Sequence, residues 1–484
     1  METNHYGGEY RRVIAYLGLL VFGIGAITLT PLLVTFLRPL TWSDASVFLI
    51  TAIASMLIGG GLWYIFRGGN DHFLSAREAA VIMSSGWFVA TILGGLPFVL
   101  GNQLPWLDAF YESISGWTGT GLTMFGRVEL VPPIYLLWRS IMEYLGSAGF
   151  AVLMLSAVIG PEAIGLYRAE GRSDHLLPSV LDTARLFMGM YGLYLVIGTV
   201  LYWVVGLNLF DAVNHAMAAL SAGGFSTYTS NIGHFNSAAV EYVSMGLMLL
   251  GSSNFTIHYL LVRKRGFKAL RDREVYALVI VLSLGIPLVY WGIRPIYGLT
   301  SGATRAAVFQ AVSASTTTGF GTADVSKWGD LPLAMLTLLM IAGGGTGGTG
   351  GGIKLSRLAT LWQAAVWTVR QRLYSERVVL RHAMYRQGEL ESIQQEEILD
   401  VAVVVFLYMI TFLVGTVIFM LHGIPLAVAG FEFASALSTV GLSAGVTGPD
   451  MPATLKITQM LGMWLGRLEF VAVFAALGRL VPWH

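Results

Sequence analysis

Four short strings decide how this chain is read: Thr118-Gly119-Thr120-Gly121-Leu122-Thr123, Ser221-Ala222-Gly223-Gly224-Phe225-Ser226, Thr316-Thr317-Thr318-Gly319-Phe320-Gly321 and Ser438-Thr439-Val440-Gly441-Leu442-Ser443. They recur at a period of roughly 100 residues, the mark of an internal repeat. Each opens on a hydroxyl residue, carries glycine at its fourth position and places a large apolar residue at its fifth. Each also ends a semi-apolar segment, at 106–118, 209–221, 303–316 and 426–438. Crossing about 30 Å of hydrocarbon takes roughly 20 apolar helical residues. These segments are too short for that, and they suit half-helices that enter and leave by one face.

Working outward, ten longer apolar stretches flank these units: 13–36, 46–66, 78–100, 133–158, 187–207, 238–262, 275–293, 332–369 (interrupted), 398–422 and 453–481. One precedes and one follows each string, and two more stand in front. The expected fold is an all-α polytopic membrane protein with four pseudo-symmetric helix–pore helix–helix repeats and two extra N-terminal helices. The boundaries are 1–70 for the N-terminal pair, 71–168, 169–265 and 266–371 for the first three repeats, 372–396 for a cytosolic linker and 397–484 for the fourth repeat. The third repeat contains an intramembrane glycine loop.

Composition agrees. Of 484 residues 55% are hydrophobic and only 12% charged, about half the charged share of a soluble domain. The mean hydropathy is +0.67. A soluble enzyme, a nucleic-acid binder and a disordered scaffold are all excluded by these figures. The net charge of +1 suggests no polyanionic partner, and the lack of cysteine removes disulfides and thiolate chemistry. Charge placement sets the sidedness. Arg11, Arg12, Arg67, Arg77, Arg168, Arg172, Arg185, the 263–273 cluster and the set from Lys354 to Arg386 make 20 of the 29 basic residues. All fall on one face if there are ten crossings, so both termini are expected in the cytoplasm. The four strings then share the outer face. The polar start METNHYGGEYRR reads as retained, not as a cleaved signal.

Non-helical backbone at membrane depth survives only where it lines a cavity or is buried in protein. Four such strings around one axis would aim carbonyl oxygens at a common point, and a carbonyl ring can replace the water shell of a monovalent cation. Glycine permits the backbone angles that turn successive carbonyls inward. The bulky fifth residue would wedge each string, and the first-position hydroxyl would add an oxygen at its inner end. The candidate ion-binding residues are Thr118, Gly119, Thr120 and Gly121; Ser221, Ala222, Gly223 and Gly224; Thr316, Thr317, Thr318 and Gly319; and Ser438, Thr439, Val440 and Gly441.

The eighth stretch is broken by Gly343, Gly344, Gly345, Thr346, Gly347, Gly348, Thr349, Gly350, Gly351 and Gly352. Each glycine lowers helix propensity by about 1 kcal/mol relative to alanine, so eight in ten residues cannot hold a helix. A mobile loop below the strings could block a conduit and move aside; a kink for close packing is the plain alternative. No phosphate-binding loop is present, because Ile353 separates Gly352 from Lys354. Arg467 and Glu469 lie within the last stretch, where ionisable residues are functional candidates by default. Arg467 is expected in the cavity under the strings, with Glu469 balancing it or pairing with a basic residue of the inner face. Asn254 and His258 could line the inner cavity or join helices, and Arg139 with Glu143 read as an internal ion pair one turn apart. The nine histidines show no ligand spacing, so neither a resident metal site nor an enzymatic centre is expected.

The strings SGWTGTGLT, AGGFST, TTTGFGT and STVGLS resemble the four filters of the TrkH/TrkG, KtrB and plant HKT superfamily of potassium-transporting subunits, over nearly the whole chain. The two added N-terminal helices make it most similar to TrkH. The resemblance implies potassium as transported ion, since glycine at the fourth filter position (Gly121, Gly224, Gly319, Gly441) accompanies potassium selectivity. Gly119 stands where threonine is more usual. The resemblance further implies a gate at the glycine loop with the arginine of the last helix, a homodimer with one pore per subunit, surrounding lipid of a bacterial-type inner membrane, and a cytosolic nucleotide-binding regulator of the TrkA (RCK) type. That partner would dock on the 263–273 cluster and the 370–396 segment. A secondary transporter carrying a solute or K+ with H+ or Na+ is the rival; it predicts two inverted repeats.

Overall fold

The computed structural model describes residues 3–67, 76–149, 180–263, 266–374, 383–470 and 473. Helices α1 (Thr3–Thr28) and α2 (Trp42–Phe66) form the N-terminal pair. They cross where glycines let the backbones close: a Cβ on Gly59 would stand 2.4 Å from the Phe22 nitrogen and 2.5 Å from the Gly18 oxygen, the small-residue crossing favoured between membrane helices. The first repeat is α3 (Ala76–Leu100), α4 (Trp106–Thr118) and α5 (Pro133–Ser147). The second is α6 (Val180–Val204), α7 (Leu209–Leu220) and α8 (Ala238–Ser252), with α9 (Phe255–Arg263) after it. The third is α10 (Arg273–Tyr297), α11 (Ser301–Ser315) and α12 (Asp330–Ala342), followed beyond the glycine run by α13 (Leu355–Leu373). The fourth is α14 (Gln395–Leu421), α15 (Leu426–Leu437) and α16 (Ala453–Arg467).

Among the described residues, six helical segments are long and apolar enough to span a membrane: Tyr10–Phe36, Trp42–Phe66, Glu78–Leu100, Arg185–Val204, Arg273–Tyr297 and Gln395–Leu421. Their outer faces expose residues such as Leu57, Val196, Ile280 and Leu413. Apolar faces of this extent suit lipid, not water. The chain is a multi-pass membrane protein.

The remaining four stretches correct the sequence reading, which expects a break only in the third repeat. Every repeat's second helix is short. α5, α8 and α16 have 15 residues and α12 has 13, and each ends on small or left-handed residues. α8 stops at Ser252-Ser253-Asn254 and turns by 96° into α9, while α16 stops before Glu469 and Phe470, which have φ of 54° and 64°. The continuations expected over 151–158 and 474–481 lie outside the described residues.

The repeats close into a ring. Within each, the pore helix (α4, α7, α11, α15) packs between its two flanking helices, and each second helix also packs on the next repeat's pore helix: α5 on α7, α8 on α11, α12 on α15 and α16 on α4. The last contact returns to the first repeat.

The segment read as a linker contains an antiparallel hairpin, β1 (Ala383–Arg386) and β2 (Glu389–Ser392), paired Arg386 to Glu389. Gln387 and Gly388, at φ of 53° and 85°, supply the two positive φ values of a type I′ turn. Its tip rests on the start of α10: Gly388 N–H donates to the Arg271 carbonyl at 3.1 Å and Gln387 N–H to Asp272 Oδ2 at 2.7 Å.

Candidate functional site

All four pore helices end alike. The N–H of each string's third residue donates to the carbonyl five residues back: Thr120 to Ser115 at 2.8 Å, Gly223 to Ala218 at 3.0 Å, Thr318 to Ser313 at 3.0 Å and Val440 to Ser435 at 2.8 Å. The second residue is left-handed in each, with φ of 68° at Gly119, 52° at Ala222, 56° at Thr317 and 52° at Thr439. This is a Schellman cap, whose left-handed position normally takes glycine. Gly119 therefore fits without strain, where the two threonines cost on the order of 1–2 kcal/mol each.

The fourth residue turns left-handed again, and there the strings meet. A Cβ on Gly121 would lie 1.9 Å from the Gly223 carbonyl oxygen. One on Gly224 would lie 2.0 Å from that of Thr318, on Gly319 1.8 Å from that of Val440, and on Gly441 2.2 Å from that of Thr120. Each glycine thus abuts the third-position carbonyl of the next string, in the same rotational order as the helices, and the fourth returns to the first. The sixteen candidate residues are brought into one ring. The fifth residues Leu122, Phe225, Phe320 and Leu442 are buried behind it, as wedges. The first-position hydroxyls of Thr118, Ser221 and Thr316 donate back to the Ile114, Ala218 and Val312 carbonyls at 2.7, 3.0 and 2.8 Å. The Thr118 and Thr316 oxygens also meet the Thr120 and Thr318 hydroxyls at 2.7 and 2.9 Å, so these hydroxyls are engaged within their own strings.

The sequence reading missed what holds the strings. Six residues before each string stand Glu112, His215, Gln310 and Glu432, one per repeat, all fully buried. Each fastens the far end of its own string. Glu112 accepts from Thr123 Oγ1 at 2.9 Å and Met124 N–H at 2.8 Å. His215 Nε2 meets Ser226 Oγ at 2.8 Å, and Gln310 Oε1 accepts from Thr322 N–H at 3.2 Å. Glu432 accepts from Ser443 Oγ at 2.7 Å and Ala444 N–H at 2.6 Å. A polar residue at a fixed distance before each string was the available signal.

Arg139 and Glu143 do not pair with each other as expected. Arg139 pairs through Nε with Glu112 at 2.6 Å, donates through Nη1 to the Ser226 carbonyl at 3.1 Å and holds its guanidinium carbon 3.9 Å from the Phe225 ring centre. Glu143 instead accepts from Phe225 N–H at 3.0 Å. Both reach the second string from α5, one helical turn apart, Arg139 at Ser226 and Glu143 at Phe225. Glu112, Glu143, Glu432 and the Arg139 guanidinium thus support the strings directly, and Asp211 accepts from Thr227 Oγ1, just beyond the second string, at 2.7 Å.

The glycine run lies against the N-terminal ends of the strings. Gly351 N–H donates to Thr317 Oγ1 at 2.7 Å, and a Cβ on Gly351 would stand 2.3 Å from the Ser438 carbonyl oxygen. Thr349 Oγ1 is shared by the Leu220 and Gly251 carbonyls at 2.8 and 2.9 Å, and Gly345 N–H donates to the Ser252 carbonyl at 2.9 Å. Arg467 closes the set, donating to the Thr349 carbonyl at 3.2 Å and to those of Gly146 and Ser147 at 3.0 and 2.7 Å. The run is therefore tied to all four repeats. Glu469 pairs with Arg357 of α13, the second of its two expected arrangements. His258 bridges Tyr194 and Ser253, joining α6 to the α8–α9 bend.

A family model described as cation transport protein, TrkH, matches residues 44–289 and 296–481. The chain belongs to the TrkH family of cation transport proteins. Among curated TrkH-family relatives, the Trk system potassium uptake protein TrkG of Escherichia coli is 30% identical, covering 98% of each chain. An uncharacterized cation transporter of Methanocaldococcus jannaschii is 29% identical, covering 95% of this chain and 94% of its own. The crystal structure of the potassium transporter TrkH from Vibrio parahaemolyticus superposes with a TM-score of 0.84 at 26% identity, covering 98% of this chain and 99% of that one. TrkH-family membership makes this a transport protein, not an enzyme.

Proposed function

We propose that the chain takes up potassium ions through the ring of Thr118–Gly121, Ser221–Gly224, Thr316–Gly319 and Ser438–Gly441. The observation that carries this is the cyclic contact of four glycines with four neighbouring carbonyls, which leaves peptide oxygens to replace an ion's water. The relatives that are Trk system potassium uptake proteins point the same way. The ion enters from outside, sheds water to the strings and is held back by the 343–352 run until that run moves. Arg467, a fixed positive charge on the run's Thr349 carbonyl, strengthens the barrier to a cation. The membrane potential supplies about 2.3 kcal/mol per charge per 100 mV, enough for uptake without a coupled ion. In this reading the protein is a homodimer in a bacterial-type inner membrane, both termini are cytoplasmic, and a TrkA-like (RCK) nucleotide-binding protein on the inner face controls the run.

Rubidium uptake into proteoliposomes tests this. An imposed inside-negative voltage alone should drive uptake, with sodium a poor competitor. Uptake that needs a proton or sodium gradient, or that sodium abolishes, overturns it.

A further inference from the structure

Beside the glycine run, and touching the third string only at Thr316, lies a pocket of about 30 Å³, room for one water-sized species. Ser252, Ser253 and Asn254 of the α8–α9 bend, Glu274 of α10, Thr316 and Gly345 supply its polar lining. Glu274 is only 7% exposed. Its Oε1 accepts from Thr346 N–H, in the glycine run, at 3.1 Å. Its Oε2 is buried and has no hydrogen-bond partner, and it stands 2.8 Å from where a Cβ on Gly345 would lie. No basic side chain lies within 4.0 Å of the carboxylate among the described residues. The adjacent Arg273 is engaged elsewhere, on Thr360 at 2.9 Å and Glu397 at 3.3 Å, and Asp272 adds a second negative charge whose oxygens take the Glu274 and Gln387 N–H groups.

A buried carboxylate with a bare oxygen requires neutralisation. We propose that the pocket binds one monovalent cation of the potassium and sodium class, with Glu274 Oε2 as its charged ligand and neutral oxygens of the lining completing the shell. A divalent ion is disfavoured, because hard divalent cations gather several carboxylates and no cluster of three acidic or histidine side chains occurs among the described residues. The same carboxylate holds Thr346, so an ion on Oε2 fixes Glu274 and with it the run. Occupancy of the pocket thus stabilises the run in the position described here. The proposal rests on the potassium reading only for the choice of ion.

Thallium(I), a heavy stand-in for potassium, tests it by anomalous diffraction from crystals of the full chain. The expected result is a peak at ligand distance from Glu274, separate from any peak at the strings, which disappears in Glu274→Gln while peaks at the strings remain. Peaks at the strings with none beside Glu274 overturn the site, as does a pocket peak undiminished in Glu274→Gln. A pocket peak with none at the strings keeps the site and sinks the filter reading instead. As a second measurement, replacing choline by potassium should slow amide exchange over 343–352 in the wild type and less in Glu274→Gln. Equal slowing in both, or exchange that follows pH and not the cation, assigns neutralisation to the strings or to a proton and overturns the proposal.

Discussion

Substituting Gly121 by serine perturbs the ring at one defined contact. The new Cβ would stand 1.9 Å from the Gly223 oxygen, and side-chain carbons essentially never approach another atom closer than 3.0 Å. The difference, 3.0 − 1.9 = 1.1 Å, is the least that the carbonyl or the string must move. That is about twice the ~0.5 Å tolerance of a preorganised site. Backbone strain at φ 83° adds about 1–3 kcal/mol, which a multi-helix protein can tolerate while remaining folded. If the displaced carbonyl contributes to a cation what a hydrogen bond to a charged group contributes, ~1.5–3 kcal/mol, potassium preference over sodium falls about ten- to hundredfold. Gly192→Ala is the control, since nothing lies within 4 Å of its added Cβ. The assay is rubidium uptake into voltage-clamped proteoliposomes with sodium as competitor. A serine variant that folds and retains the wild-type ion preference refutes the carbonyl-ring argument.

Two further outcomes follow from the support of the ring and the run. Arg467→Gln removes the charge and most of the bonding to the Thr349, Gly146 and Ser147 carbonyls, so uptake without any cytosolic partner should rise; a fall in uptake by folded protein would mean that the arginine assists passage. Arg139→Met leaves Glu112 buried without its partner and should lower stability by about 3–5 kcal/mol, read as an earlier thermal transition in detergent, and Glu112→Gln added to it should recover part of the loss.

The repeat, the half-helices and the ring residues were legible because backbone geometry imposes its own residue choice. A left-handed turn against a neighbour's carbonyl admits only glycine, and Gly121, Gly224, Gly319 and Gly441 announce it. The Glu112, His215, Gln310 and Glu432 set was harder to see, since four different side chains perform one task, accepting or exchanging a hydrogen bond at the string's far end. The shortness of α5, α8 and α16 was hidden for another reason. Apolar sequence continues past Ser147, Ser252 and Arg467, and hydropathy records solvent preference, not where a helix stops. Gly146, Gly251 and Gly466 do mark those stops: a Cβ on each would stand 1.9, 2.3 and 1.9 Å from the Trp117, Leu220 and Leu437 carbonyls, one residue before the strings. The hairpin escaped because Gln387-Gly388 is a weaker turn signal than Asn-Gly.

Backbone and charge do not share a symmetry in this ring. Carboxylates stand behind the first, second and fourth strings, while the third is fastened by uncharged Gln310, and Gly351 leans on that same third quadrant through Thr317. Fourfold in its backbone, the passage is uneven in what stands behind it, and a loop belonging to one repeat reaches quadrants that are not interchangeable.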